Sequence, residues 1–275
     1  VSESRSALTR LAVVGASGRM GRAVVRLAVE SGITIVSAVG ASDLGRDVGE
    51  LAGVGPIGRG VSDEVDDLVK ANADCVIDFS APDLCPRVAA AAARGGSALV
   101  CGTTGLGEKE RTALDHAAAK VPVLWEPNMS IGVFVLSHLV SQAVEMLGDT
   151  CDIEIVEAHH KLKVDAPSGT ALRLAEVAKR ARDSSRGDSS SFVTGREGKP
   201  GARKPTEIGV LAMRGGDVIG DHHVHLLAHG ERIELSHRAQ SRELFASGAL
   251  RAARFIAGKK AGRYGLADVL GVHAK

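Results

Sequence analysis

The stretch LAVVGASGRMGRAV, residues 11–24, constrains the fold more than any other: an apolar run is followed by Gly15, Gly18 and Gly21 and then by a helix-forming segment. After a buried strand and before a helix, each glycine has its own duty. The first permits a tight turn, the second lets backbone N–H groups approach a pyrophosphate, and the third lets helix and strand pack closely, while the helix N-terminus favours the anion. The stretch predicts the opening of a dinucleotide-binding fold, with the pyrophosphate over Gly15, Ala16, Ser17, Gly18, Arg19 and Met20.

The same rhythm continues through ITIVSAV, CVIDFS, an alanine-rich helix, ALVCG, another helix and VPVLW. Continuous apolar strands alternating with helices read as a doubly wound, Rossmann-type parallel sheet covered on both faces. After PNMSIGV a helix leads into DIEIVEAHH, and beyond Pro205 the pattern turns strand-like: EIGVLAMR, DVIGDHHVHLLA, RIELSHRA. With turns at Gly215–Gly216 and at 229–231 this reads as an antiparallel meander, part of an α+β domain with a mostly antiparallel sheet. The expected division is 1–130 with 240–275 for the dinucleotide, and 131–239 for the second domain. Residues 182–205, rich in Ser, Gly, Arg and Pro, read as a mobile loop or lid, with the order of 184–205 left open.

Composition narrows the partners. A net charge of +1 gives no global field for nucleic acid or membrane, and 3% aromatics leaves little for base stacking. Cys75, Cys85, Cys101 and Cys151 form no C-x-x-C pair, which suits a reducing cytoplasm and no metal. The opening VSESRSALTR lacks the apolar core of a leader, and no apolar run approaches the roughly 20 residues that span a bilayer. A soluble, cytoplasmic chain is expected.

The choice of dinucleotide turns on the second strand. NAD binding calls for an Asp or Glu at its end, on the ribose 2′-OH; here SAVGASD places Gly40, Ala41 and Ser42 there. Nothing then repels a 2′-phosphate, and Arg19 and Ser42 could contact one. NADPH is the favoured cofactor, with NADH possible should the strand run on to Asp43.

The densest chemistry lies in EIVEAHHKLKVDAPSGTA, residues 154–171. A strand delivers two histidines and two lysines, Pro167 turns the chain, and a helix begins with Ser168 or Thr170 as its cap. His160, Lys163 and the N–H groups of the helix start are three kinds of anion binder, suited to a small substrate with two carboxylates.

This segment resembles the signature of the dihydrodipicolinate reductase family through Glu154, Glu157, His159, His160, Lys163, Asp165, Ala166, Pro167, Ser168, Gly169, Thr170 and Ala171. The resemblance extends in matching order through GRMGR, DFSAP at 78–82, CGTTG at 101–105, PNMSIGV at 127–133, RGGDVIGDH and HRAQSR. It implies NAD(P)H-dependent reduction of 4-hydroxy-tetrahydrodipicolinate to tetrahydrodipicolinate with loss of water, in the diaminopimelate route to lysine. It further implies His159 as acid–base residue, Lys163 as proton donor, and His160, Ser168, Gly169 and Thr170 on substrate carboxylate. Gly102, Thr103, Thr104, Glu126, Pro127, Asn128 and Met129 would join Gly15 to Met20 around the cofactor. A homotetramer built through the second sheet is also implied. Because the phosphate and substrate sites fall on different domains, hinges are expected at 128–130 and 238–240. Relatives often carry an acidic then a basic residue where this chain has Gly40 and Ala41, and a small one in place of Glu126.

Several features are set aside. His223 and His225 share a strand face, but with no carboxylate or thiolate expected beside them a metal reading is weak. Cys101 reads as a structural thiol and Asp78 as the cap of the helix after it. A short-chain dehydrogenase would need a Lys four positions after its Tyr, and Tyr264 is followed there by Asp268. A non-catalytic NADP sensor would have no need of both His159 and Lys163.

Overall fold

The computed structural model describes residues 8–187 and 189–272; the first seven residues of the opening read above for a leader lie outside them. The chain divides into two units, Val1–Ser130 with Glu243–Lys275, and Ile131–Arg242. The return to the first unit thus begins at Glu243 rather than at 240.

In the first unit β1 (Arg10–Val14), α1 (Arg19–Glu30), β2 (Thr34–Val39), the short helices α2 (Val48–Ala52) and α3 (Asp67–Lys70), and β3 (Cys75–Asp78) are followed by α4 (Cys85–Gly95), β4 (Ala98–Cys101), α5 (Glu108–Ala118) and β5 (Pro122–Trp125). The strands lie in the order β2-β1-β3-β4-β5, all parallel. β3 and β4 are four-residue runs buried throughout, as strands covered on both faces must be. Alternation along β1 sends Leu11 and Val13 into one core with Val24 and Ala28, and Ala12 and Val14 into another with Val88 and Leu114. From β1 the order runs outward to β2 on one side and to β3 on the other. Such a reversal leaves a crevice at the carboxyl ends of the strands, where open α/β sheets bind ligands.

The second unit begins with α6 (Ile131–Leu147), β6 (Asp152–His159) and α7 (Gly169–Arg186), and continues with β7 (Ser191–Val193), β8 (Glu207–Arg214), β9 (Asp221–Leu227) and β10 (Arg232–Arg238). The chain then returns to the first unit with α8 (Glu243–Ile256), β11 (Gly262–Tyr264), which adds in parallel to β5, and α9 (Leu266–Leu270). The second sheet has the order β10-β9-β6-β8-β7 and is mixed: β6 pairs antiparallel with β9 but parallel with β8. Only β9 and β10 keep the hairpin of the expected meander. The Gly215–Gly216 turn instead lies against the end of β6, where Gly215 N–H donates to His159 O (3.0 Å) and Lys161 N–H to Gly216 O (3.3 Å). Two glycines there are thus a site feature more than a hairpin turn. One sheet face packs on α6 and α7 through Ile153, Ile155, Ile208, Val210, Val224 and Leu226.

The segment expected to be a loop from Arg182 is ordered by charge pairing, which a low-hydrophobicity reading misses. Arg182 is fully buried and donates to the carbonyls of Cys151 (2.6 Å) and Glu207 (3.1 Å). Farther on, Arg196 grips Glu154 with both guanidinium nitrogens (2.8 and 3.0 Å), and Arg203 reaches Glu154 and Asp152. β7 pairs with β8 between those anchors and the helix. Among the described residues no helix is long and apolar enough to cross a membrane.

Candidate active site

The first group of candidate residues stands at the carboxyl ends of the parallel strands. Gly15 has φ +75°, and a Cβ there would lie 2.4 Å from Phe79 O. A Cβ on Gly21 would lie 2.1 Å from Gly15 O and 2.6 Å from Ala16 Cα. Gly18 is the N-cap of α1 and brings no side chain to its N-terminus. The three glycines thus bring no side chain to this turn, and the N-terminus of α1 carries no side-chain cap, which suits it to a pyrophosphate. The cradle fits a dinucleotide.

β2 ends at Val39, so no carboxylate stands at its end. A Cβ on Gly40 would lie 2.7 Å from Ser17 Oγ and 3.0 Å from Val61 Cγ1, so a larger side chain there requires Ser17 to turn aside. Asp43 sits four residues past the strand at φ +58°, its carboxylate taken by Arg22 (2.9 Å) and Arg46 (2.8 Å). Arg19 and Ser42 are exposed beside this region. Gly102, Thr103 and Thr104 follow β4, and Thr103 O accepts from the Trp125 indole (3.0 Å). After β5, Glu126 and Asn128 are half-buried, Pro127 is exposed, and Met129 is buried in the core, its side chain turned away from the rim.

The second group converges where β6 ends and α7 begins. Alternation along β6 puts Ile153 and Ile155 under the helices and brings Glu157 and His159 out on the same face at the far end. Glu157 is wholly buried, and its two oxygens accept from Arg214 (2.8 Å each), Ser168 N–H (2.9 Å) and His159 Nδ1 (2.6 Å). Burial alone would raise this carboxyl, but Arg214, His159 and the Ser168 amide together hold it below its usual range. Ser168 caps α7, its hydroxyl accepting from Ala171 N–H (3.2 Å), which settles the cap in favour of Ser168 over Thr170. The peptide between Ala166 and Pro167 is cis. Lys163 Nζ donates to Asp165 (2.7 Å), which holds that carboxyl low. His160 is half-buried at the end of β6, and Gly169 and Thr170 form the first turn of α7.

Reading the sequence found His159 and Ser168 but gave no role to Glu157, Arg214 or His222. Glu157 could have been found, since a residue two before a strand histidine shares its face. Arg214 could not, because it meets His159 only through the parallel register of β6 and β8. His222, on β9, places its ring edge-on to that of His159 (5.3 Å between centroids).

Burial and the neighbouring His159 hold His222 down at about 4. An unfolded chain takes up a proton there near pH 6.5 that the folded chain refuses. This contribution to stability is complete above 6.5 and is lost as pH falls from 6.5 toward 4, by on the order of 3 kcal/mol. Denaturant midpoints at pH 7 and 4.5 should therefore separate less in His222→Gln than in the parent; an equal separation would remove His222 from the account.

Of three set-aside features, two read differently in the structure and the third, Cys101, reads as expected. Glu234 does lie beside His225 (3.7 Å), on the face that was expected to lack a carboxylate. Asp78 caps no helix: it accepts from Ser80 N–H (2.9 Å) in the turn after β3, and burial pushes its carboxyl up. Cys101 is buried against Cys85 and Asp78, and its thiol is pushed up by the Cys85 thiol and by burial, so it is no nucleophile.

A Rossmann-type unit with a glycine-rich dinucleotide cradle, joined to an α+β unit bearing a buried histidine–carboxylate pair, defines a nucleotide-dependent oxidoreductase. Sequence profiles agree: residues 9–129 match dihydrodipicolinate reductase, N-terminus, and residues 132–270 match dihydrodipicolinate reductase, C-terminus. A 4-hydroxy-tetrahydrodipicolinate reductase of Anaeromyxobacter sp. (strain Fw109-5) is 49% identical over 271 residues, 97% of this chain and 99% of that one. One of Alkalilimnicola ehrlichii is 47% identical over 269 residues, 96% and 99% of the two chains. The solved structure of a dipicolinate-bound dihydrodipicolinate reductase from Paenisporosarcina sp. TG-14 shares the fold, with TM-score 0.72 at 22% identity over 94% of this chain and 97% of that one. The chain belongs to the dihydrodipicolinate reductase family, the NAD(P)H-dependent oxidoreductases of the diaminopimelate route to lysine, and its activity is that of the family.

Proposed function

We propose that the chain reduces 4-hydroxy-tetrahydrodipicolinate with His159 as the acid–base residue and Lys163 as the proton donor, and with His160, Ser168, Gly169 and Thr170 on a substrate carboxylate. The observation that carries this reading is the buried Glu157, which joins the His159 ring to the capped start of α7. A proton-handling group and a turn suited to anions are thereby fixed to one another. The substrate loses water to give a conjugated imine, and the nicotinamide supplies the hydride. As charge gathers on the ring nitrogen, Lys163, at present paired with Asp165, delivers the proton, and His159 exchanges it with solvent. The dipicolinate named for the Paenisporosarcina relative supports a dicarboxylate ligand.

In the same reading the first unit holds the dinucleotide and the second holds substrate. The face of the second sheet away from α6 and α7, with His223, His225 and the exposed Met213, packs against other subunits of a homotetramer. Four free cysteines fit the cytoplasm.

NADPH is the favoured cofactor and NADH a slower alternative. The end of β2 offers no carboxylate to a 2′-OH, and Arg19 and Ser42 stand exposed where a 2′-phosphate would lie. Arg19→Ala is expected to weaken NADPH binding about tenfold and to leave NADH binding within about twofold, read by nucleotide titration. Equal losses for both nucleotides would remove Arg19 from the 2′-phosphate. A parent preference for NADH above about tenfold would overturn the choice of cofactor itself.

A further inference from the structure

We propose that Glu157 is a positioning residue that fixes the proton of the neutral His159 ring on Nδ1 and so presents Nε2 as the reacting nitrogen. The proposal rests on the reading of His159 as the acid–base residue and says how the fold prepares it.

A carboxylate buried without a charge partner is too costly to persist. Glu157 meets that demand with four hydrogen bonds, two to each oxygen. Oε1 accepts from Arg214 (2.8 Å) and from Ser168 N–H (2.9 Å), while Oε2 accepts from Arg214 (2.8 Å) and faces His159 Nδ1 (2.6 Å). An ionised carboxylate has no proton to give. In the pair with Oε2, Nδ1 must be the donor, which leaves Nε2 with its lone pair when the ring is neutral. When the ring takes a second proton, it takes it at Nε2, the nitrogen that the bond to Glu157 leaves unprotonated.

The other edge of the ring lies beside Gly220. A Cβ there would lie 3.0 Å from His159 Nε2, so the absence of a side chain at position 220 leaves that nitrogen uncrowded. The remaining groups do not compete for Nδ1. The His222 ring stands edge-on and its Nε2 faces Ser168 Oγ (3.4 Å), Lys163 is paired with Asp165, and Arg214 is held in place by Glu157 and the Asp165 carbonyl (2.6 Å). The Ser168 bond adds a second consequence: the carboxylate that orients the ring also fixes the start of α7, so ring and turn move together.

The test is Glu157→Gln, which keeps the shape. The Gln carbonyl can still accept from Ser168 N–H, which turns the amide NH2 toward Nδ1 and forces the ring proton to Nε2. In 15N NMR at a pH where the ring is neutral, His159 is expected to change from the Nδ1–H to the Nε2–H form. The same variant should lose about 10²-fold in kcat while its Kd for NADPH stays unchanged. Glu157→Asp, which keeps the charge, should retain the Nδ1–H form and recover part of kcat. Gly220→Ala should lower kcat by crowding Nε2 with the Nδ1–H form intact. An unaltered tautomer in Glu157→Gln, with kcat within about twofold of the parent while His159→Gln is inactive, overturns the proposal and leaves the role of His159 standing. Full kcat in His159→Gln instead removes that role, and the proposal with it.

Discussion

Replacing His159 by Gln or Lys163 by Ala is expected to lower kcat by about 10³-fold, with the affinity for NADPH unchanged. The two residues reach the same result by different routes. His159 is buried and held by Glu157, so Gln fills much of the space and can hydrogen-bond Oε2, yet it cannot take up and release a proton. Lys163 is partly exposed and paired with an exposed Asp165. Removing an exposed pair of this kind costs little stability, so a large loss of turnover in Lys163→Ala reports chemistry. Both side chains belong to the second unit and the glycine cradle to the first. Steady-state turnover and NADPH titration on each variant separate these effects, and parental kcat in both would end the assignment of roles.

Gly21→Ala is expected to fail in a different way. Its methyl would lie 2.1 Å from Gly15 O and 2.6 Å from Ala16 Cα, both backbone atoms, so no side chain can give way. Helix α1 must then lift from the turn, and the N–H groups at its start, proposed to meet the pyrophosphate, move with it. Overpacking of this kind costs about 2 kcal/mol, or roughly 5 °C in Tm for a chain of this size, and NADPH affinity should fall about 10²-fold. A variant that unfolds near the parental temperature and binds NADPH as tightly as the parent would show that the cradle is not where the dinucleotide lies.

Much of this was legible in the sequence, and the reasons differ by region. The first unit announced itself because its strands are buried on both faces and its glycines have steric duties that few other turns share. In the second unit the elements were legible but their order was not. Nothing in EIGVLAMR or DVIGDHHVHLLA says that β6 enters between them, because parallel pairing of β6 with β8 is a choice made by the packing of α6 and α7 beneath the sheet. The stretch from Arg182 differs for a related reason: Arg182, Arg196 and Arg203 read as part of a mobile loop, whereas their partners, Glu154 and the carbonyls of Cys151 and Glu207, come from distant strands. At the site, residues in one contiguous motif were found, and Arg214, His222 and Gly220, which reach it through sheet register, were not.

The central claim is that this chain couples oxidation of NADPH to reduction of a cyclic dicarboxylate imine. Its most direct test is the rate of NADPH loss by the purified protein, with the substrate generated in place from pyruvate and aspartate semialdehyde. Oxidation that depends on both precursors is the predicted result; a rate no greater than that without them would contradict the account.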